Sequence, residues 1–261
     1  MADARAAALQ TLRADPARTC LITDFDGTLS PIVDDYTEAR PLPGAVETLL
    51  RLCGAYGRVA VVSGRPAAFL AERLAVPPPL PPALRVSGLY GLESLDEQGA
   101  VRVVPAAEEW REPVETAAGR AEASAPRGVR VERKGLSVTL HWRRHPEVER
   151  WARGFASATA DGLGLAVHGA RRSLELRPPL DVDKGTAVSE LASGFTAACY
   201  LGDDVGDLPA FAALDDLRGA GARTVKIVAT SDEVAPEMLA AADLVLDGPE
   251  AALAFLAELA S

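Results

Sequence analysis

Short apolar runs that stop at hydroxylated or acidic residues and a glycine recur along this chain, and they restrict its fold more than any other feature. The run in "TCLITDFDG" ends on Asp24, Asp26 and Gly27. That in "RVAVVSGRP" ends on Ser63, Gly64 and Arg65, and that in "TAACYLGDD" on Gly202, Asp203 and Asp204. "TVKIVA" and the short "ADLVLDG" follow. Apolar runs of this length without polar alternation predict strands buried on both faces. Between them lie segments with apolar residues at helical spacing: "GAVETLLRLCGAYG", "PAAFLAERLAV" with Pro66 in its first turn, "DKGTAVSELAS", "DLPAFAALDDLRG" and "PEAALAFLAELA". "MADARAAALQTLRADPART" predicts a short leading helix. Strands alternating with helices predict an α/β class: a Rossmann-like parallel-sheet core with helices on both faces. Such sheets bind ligands just beyond the carboxyl ends of their strands. Asp24, Asp26 and Ser63 lie at such ends.

The alternation is interrupted. "VPPPLPPALR" holds five prolines between Pro77 and Pro82 and predicts a rigid surface connection. "LRVSGLYG" and "AVRVVP" predict a strand and a hairpin-like addition to the core. From Glu108 to Arg177 the order becomes helix-strand-strand, twice. A helix over "AEEWREPVETAAGRAEAS" precedes "GVRVERKG" and "LSVTLHWRR". A second over "PEVERWARGFASATA" precedes "GLAVHGA" and "RSLELRP". Strands so close in sequence pair antiparallel. The expectation is an inserted α+β domain at 108–177, with core segments at 1–107 and 178–261; Pro178-Pro179 marks the return.

Charge and cysteine usage exclude several classes. A formal net charge of −10 argues against nucleic acid or an anionic membrane as the main partner. It leaves room for a small anionic substrate at a locally positive site. Cys20, Cys53 and Cys199 are odd in number and far apart, so no disulfide framework or CxxC pair is expected. No stretch approaches the roughly 20 apolar residues of a membrane helix. A cytoplasmic protein is the expectation.

The chemistry sits at the strand ends. Residues i and i+2 project the same way, so Asp24 and Asp26 share one face. One aspartate can attack phosphorus and the second can protonate the leaving alcohol and then activate water. Thr28 can donate to a phosphate oxygen. Asp and Gly also favour plain turns. Ser63 sits between a strand and a helix, where free N–H groups attract an anion, although Ser-Gly is a common turn as well. Lys184 falls in the first turn of a helix, where the dipole disfavours a cation; either a bound phosphate or pairing with Asp181 or Asp183 would relieve that. Asp203, Asp204 and Asp207 repel one another unless a cation joins them or the loop is solvated.

In order, "DFDGT", "SGR", "DKG" and "GDDVGD" resemble the four motifs of haloacid-dehalogenase-like phosphatases, and the insert looks like the C2-type cap of that superfamily. More narrowly, "DFDGTLSPIV", "VAVVSGRP", "GLYGLE", "VERKGLSVTLHWR", "SLELRPPLDVDKG" and "YLGDD" resemble the trehalose-6-phosphate phosphatase family nearly end to end. That resemblance implies hydrolysis of trehalose 6-phosphate with Mg²⁺. It makes Asp24 the nucleophile and Asp26 the acid/base. Thr28, Ser63, Gly64, Arg65 and Lys184 fall to the phosphoryl group. Asp203 would bind Mg²⁺ with Asp24 and the Asp26 carbonyl, supported by Asp204 and Asp207. Glu132, Lys134, Arg143, Arg171 and Glu175 of the cap would read the sugar. Three positions depart from the family: Arg171 stands for its usual Lys, Leu208 for a Glu, and Trp142 for a Tyr. Sucrose-phosphate or mannosyl-phosphoglycerate phosphatases share the core and stay open as alternatives. A sugar-phosphate sensor would have lost Asp24 or Asp26, and both are present. The implied partner is the sugar phosphate alone, bound by a monomer.

Overall fold

The structure of the protein is a computed structural model describing residues 2–33, 35–143, 145–170, 172–231 and 234–261. Its strands, in chain order, are β1 (Thr19–Thr23), β2 (Arg58–Val62), β3 (Leu84–Gly88), β4 (Glu93–Leu95), β5 (Val101–Val103), β6 (Arg130–Arg133), β7 (Val138–His141), β8 (Ala166–Ala170), β9 (Ser173–Arg177), β10 (Ala197–Gly202), β11 (Arg223–Ala229) and β12 (Leu244–Leu246). The α-helices are α1 (Ala2–Arg13), α2 (Ala45–Cys53), α3 (Ala67–Leu74), α4 (Pro105–Glu108), α5 (Arg111–Ser124), α6 (Glu149–Leu163), α7 (Lys184–Ala192), α8 (Leu208–Gly219), α9 (Pro236–Ala241) and α10 (Gly248–Leu259). Two compact units result: Met1–Arg102 with Val182–Ser261, and Val103–Asp181. Among the described residues no helix is long and apolar enough to cross a membrane.

The first unit carries a sheet ordered β12-β11-β10-β1-β2-β3-β4-β5. It is parallel from β12 through β3, and β4 turns antiparallel against β3. Side chains alternate across a strand, and here the alternation feeds two apolar layers. Leu21, Val59, Val61, Cys199 and Leu201 point to one face, under Leu12 of α1, Leu49 and Leu52 of α2, and Phe255 of α10. Cys20, Ile22, Ala60, Val62, Ala198 and Tyr200 point to the other, under Val188 of α7 and Phe211 and Leu214 of α8. That is why the runs are continuously apolar: neither face meets water. The central strands β10, β1 and β2 all end at the same edge, carrying their terminal polar residues there.

The second unit is a sheet ordered β6-β7-β9-β8, antiparallel throughout. Val138, Leu140, Leu174 and Leu176 pack against Ala117 and Ala121 of α5 and Ala152 and Ala156 of α6. Trp142 lies in this cluster and is buried, so its ring belongs to the apolar core of its unit. The single helix expected over "AEEWREPVETAAGRAEAS" is two: α4 ends at Glu108 and α5 begins at Arg111. Pro113 is the cause, because its ring would collide with the carbonyl four residues earlier and it has no N–H to give a continuing helix.

Candidate active site

Four segments distant in sequence converge at the carboxyl edge of the first unit's sheet, and each touches the segment after β1. Asp24 continues the pairing of β1 with β10, its N–H donating to the Leu201 carbonyl at 2.8 Å. Its carboxylate is buried, with Oδ1 accepting the Phe25 N–H at 2.7 Å and Oδ2 accepting Lys184 Nζ at 2.8 Å. The same ammonium reaches Asp207 Oδ1 at 2.6 Å. Neither Asp181 nor Asp183 is its partner: Asp183 instead caps α7 by accepting the Thr186 N–H at 2.8 Å. Lys184 thus occupies the first turn of α7 because two buried carboxylates outweigh the helix dipole.

Asp26 meets the second segment. The Arg65 guanidinium forks onto it, Nε to Oδ2 and Nη2 to Oδ1, both at 2.7 Å. Arg65 also lies over the Phe69 ring, 5.0 Å from its centroid. Sequence reasoning set Arg65 beside the phosphoryl group; its fork is given to Asp26. Ser63 is buried at the end of β2, and its Oγ accepts the Arg65 N–H at 3.1 Å. Gly64 lies under the Tyr90 ring so closely that an added Cβ would stand 2.7 Å from the phenol oxygen. Thr28 is wholly buried and its hydroxyl has no hydrogen-bond partner among the described residues. A buried hydroxyl without a partner needs an explanation, and a phosphoryl oxygen supplies one.

The fourth segment closes on Gly27. With φ at +71°, Gly27 turns the chain so tightly that a Cβ there would fall 2.1 Å from the Asp203 Cγ. Oxygens of Asp24, Asp203 and Asp207 all lie within 4.8 Å of one another. Burial first, then repulsion by Asp24, Asp207 and Asp204, pushes the Asp203 carboxyl up to about 9. Burial also lifts Asp24 well above the usual carboxylate range, and the attraction of Lys184 does not offset it. Burial alone would lower Lys184, but Asp207 and Asp24 outweigh it and hold its pKa well above the lysine range. Anions this crowded around one ammonium suit a divalent cation, which reverses such shifts.

The donor set is oxygen only, the preference of a hard cation. Asp207 is the least available of the three. Its Oδ1 accepts Lys184 Nζ and the Tyr200 hydroxyl, both at 2.6 Å, and its Oδ2 accepts the N–H groups of Asp203 at 2.9 Å and Asp204 at 3.2 Å. Four donors use the roughly four lone-pair positions of a carboxylate. Asp24 and Asp203 are therefore the carboxylates free to ligate, and Asp207 fixes the loop. Asp204 caps the turn Val205–Asp207, accepting the Gly206 N–H at 2.8 Å. Leu208 packs against the apolar layer under α8.

Of the cap residues, Glu132 and Glu175 lie on one face of the second unit's sheet. Register sets Glu132 and Glu175 on either side of Thr139. Both glutamates are buried, unlike a solvated charged face. Glu175 Oε1 accepts Ser137 Oγ at 2.6 Å and Lys134 Nζ at 3.2 Å, and Glu132 Oε2 meets His141 Nε2 at 2.7 Å. Arg143 is exposed just past β7. Arg171 lies outside the described residues. Sequence reasoning missed Thr139, which is 4% exposed and whose hydroxyl has no partner among the described residues. The period of two sets it on the face of His141, but only the register of β6 beside β7 sets that face with Glu132. It also missed Tyr200, hidden in an apolar run that offers no sign of a hydroxyl at work.

Residues 22–249 match the sequence model of a family described as trehalose-phosphatase. A trehalose-phosphate phosphatase of Mycobacterium avium (strain 104) is 36% identical over 248 residues, covering 91% of this chain and 61% of that protein. One of Mycobacterium leprae (strain TN) is 36% identical over 209 residues, covering 73% of this chain and 46% of that protein. The chain thus spans about three-fifths or less of these curated relatives. Among solved structures, the C-terminal domain of a trehalose-6-phosphate phosphatase of C. albicans superposes with a TM-score of 0.75 at 23% identity, covering 98% of this chain and 96% of that one. At that identity the likeness is one of fold.

Proposed function

The chain belongs to the trehalose-phosphatase family, and from that membership we propose that it hydrolyses trehalose 6-phosphate to trehalose and phosphate, with Mg²⁺, through an aspartyl-phosphate on Asp24. The observation that carries the reading is Asp24 itself. It is a buried carboxylate held by an ammonium and a backbone N–H, with a second carboxylate two residues on and an acidic loop beside it.

Asp24 attacks phosphorus while Asp26 gives its proton to the departing sugar oxygen, so the phosphorus–sugar bond breaks as the bond to Asp24 forms. Asp26 then takes a proton from water, whose oxygen attacks phosphorus and expels Asp24 as carboxylate. The Arg65 fork holds the Asp26 carboxylate in place. Lys184 neutralises charge developing on the phosphoryl oxygens, a role whose loss costs about 100- to 1000-fold in comparable sites. Thr28 and Ser63 donate to the same oxygens. Asp24, Asp203 and the Asp26 carbonyl would hold Mg²⁺, which when bound supplies Lewis-acid neutralisation of the phosphate.

Glu132, Lys134, Arg143, Arg171 and Glu175, with Thr139 added, recognise the sugar hydroxyls. The buried polar face of the second unit supports this, since convergent carboxylates and a hydroxyl without a partner among the described residues suit a polyol. The core at 1–107 and 178–261 performs the chemistry and the cap at 108–177 selects the sugar. One polypeptide carries all four motifs, so a monomer suffices, and three free thiols fit the cytoplasm. The test is phosphate release from trehalose 6-phosphate, sucrose-phosphate and mannosyl-phosphoglycerate, with and without chelator. Preference for trehalose 6-phosphate, lost on chelation, is expected. Faster release from either other ester, or indifference to chelator, overturns the assignment.

A further inference from the structure

Tyr200 lies in β10, wholly buried, with its ring edge-on to Phe211 at 6.2 Å between centroids. A buried tyrosine finds a partner for its hydroxyl, and here the partner is the oxygen that also holds Lys184. Tyr200 donates to Asp207 Oδ1 at 2.6 Å, Lys184 donates to that atom at 2.6 Å, and Lys184 reaches Asp24 Oδ2 at 2.8 Å. The other oxygen of Asp207 is pinned by the N–H groups of Asp203 and Asp204. We propose that Tyr200 is a positioning residue for phosphoryl transfer, fixing the Asp207 carboxylate and, through it, the Lys184 ammonium against Asp24.

Two consequences of the shared oxygen support this. The second short donor stops the carboxylate from turning about its last bond, so the ammonium is anchored to a fixed point. It also draws off part of the charge on Oδ1, which would otherwise pull Lys184 away from Asp24. Phenylalanine at this position fills the same space but leaves Oδ1 to the lysine alone. The inference rests on the reading of Asp24 as nucleophile.

The experiment compares wild type, Tyr200→Phe and Phe211→Leu. Two readouts are used: turnover of trehalose 6-phosphate, and the rise in melting temperature caused by beryllium fluoride with Mg²⁺, which mimics the phosphorylated aspartate. In Tyr200→Phe, kcat should fall at least tenfold with KM within twofold, and the beryllium fluoride rise should at least halve. Phe211→Leu should melt earlier yet keep kcat within twofold and the full rise. A smaller fall in kcat, a loss carried by KM, or an equal loss in Phe211→Leu reduces Tyr200 to packing and overturns the proposal. Should wild type release phosphate from none of the esters, the functional reading fails, while the beryllium fluoride comparison still decides the role of Tyr200.

Discussion

Replacing Lys184 with methionine keeps the apolar stem and removes the ammonium between Asp24 and Asp207. Both acids are buried, at 5% and 0% exposure. Removing one member of a buried ion pair leaves charge uncompensated and costs about 3–5 kcal/mol. Asp207 keeps three of its four donors, so the lower end of that range applies. At roughly 2–4 °C per kcal/mol for a unit of this size, the melting temperature should drop by about 6–12 °C. Mg²⁺ should restore part of the loss, because it compensates Asp24 but not the saturated Asp207. Phosphate release should fall by about 100- to 1000-fold. Differential scanning fluorimetry with and without Mg²⁺, alongside phosphate release, reads both effects. A melting temperature within about 2 °C of wild type, together with turnover within tenfold, would refute the claim that this ammonium joins two buried carboxylates.

Gly27→Ala tests the turn after Asp26. A side chain at φ +71° costs about 1–2 kcal/mol, and its Cβ must displace the Asp203 carboxylate, so the Mg²⁺ concentration for half-maximal turnover should rise about tenfold or more. An unchanged Mg²⁺ titration would show that Asp203 is not a ligand. Thr139→Val removes a hydroxyl without a partner among the described residues, from a position 4% exposed. The melting temperature should hold or rise, while loss of one neutral hydrogen bond should raise KM for trehalose 6-phosphate by about 2- to 13-fold. A lower melting temperature with unchanged KM would make Thr139 structural.

Some of this site can be read from the residues in order, and some cannot. "DFDGT" is legible because a strand end, a turn glycine and two carboxylates lie within five residues, and their chemistry is local. The βα alternation is legible for a similar reason, since burial on both faces of a sheet leaves continuous apolar runs such as those of β1, β2 and β10. The partner of Lys184 is different. Asp183 is adjacent and Asp207 is 23 residues away; only the packing of the start of α7 against the turn after β10 chooses between them. The fork of Arg65 on Asp26 likewise spans 39 residues and depends on β2 lying beside β1. Pro113 was visible as a helix breaker, yet helical spacing on both sides concealed the break between α4 and α5. Where Leu208 replaces an acid, the lost charge is not needed to hold Asp207, whose four donors come from Lys184, Tyr200 and two backbone groups.

The most direct measurement is chemical trapping of the phosphorylated enzyme. Enzyme mixed with trehalose 6-phosphate and Mg²⁺, quenched during turnover, reduced with borohydride and sequenced by mass spectrometry should carry homoserine at position 24. Rapid phosphate release with an unmodified Asp24, or with the reduced residue at Asp26 or Asp203, would contradict the account.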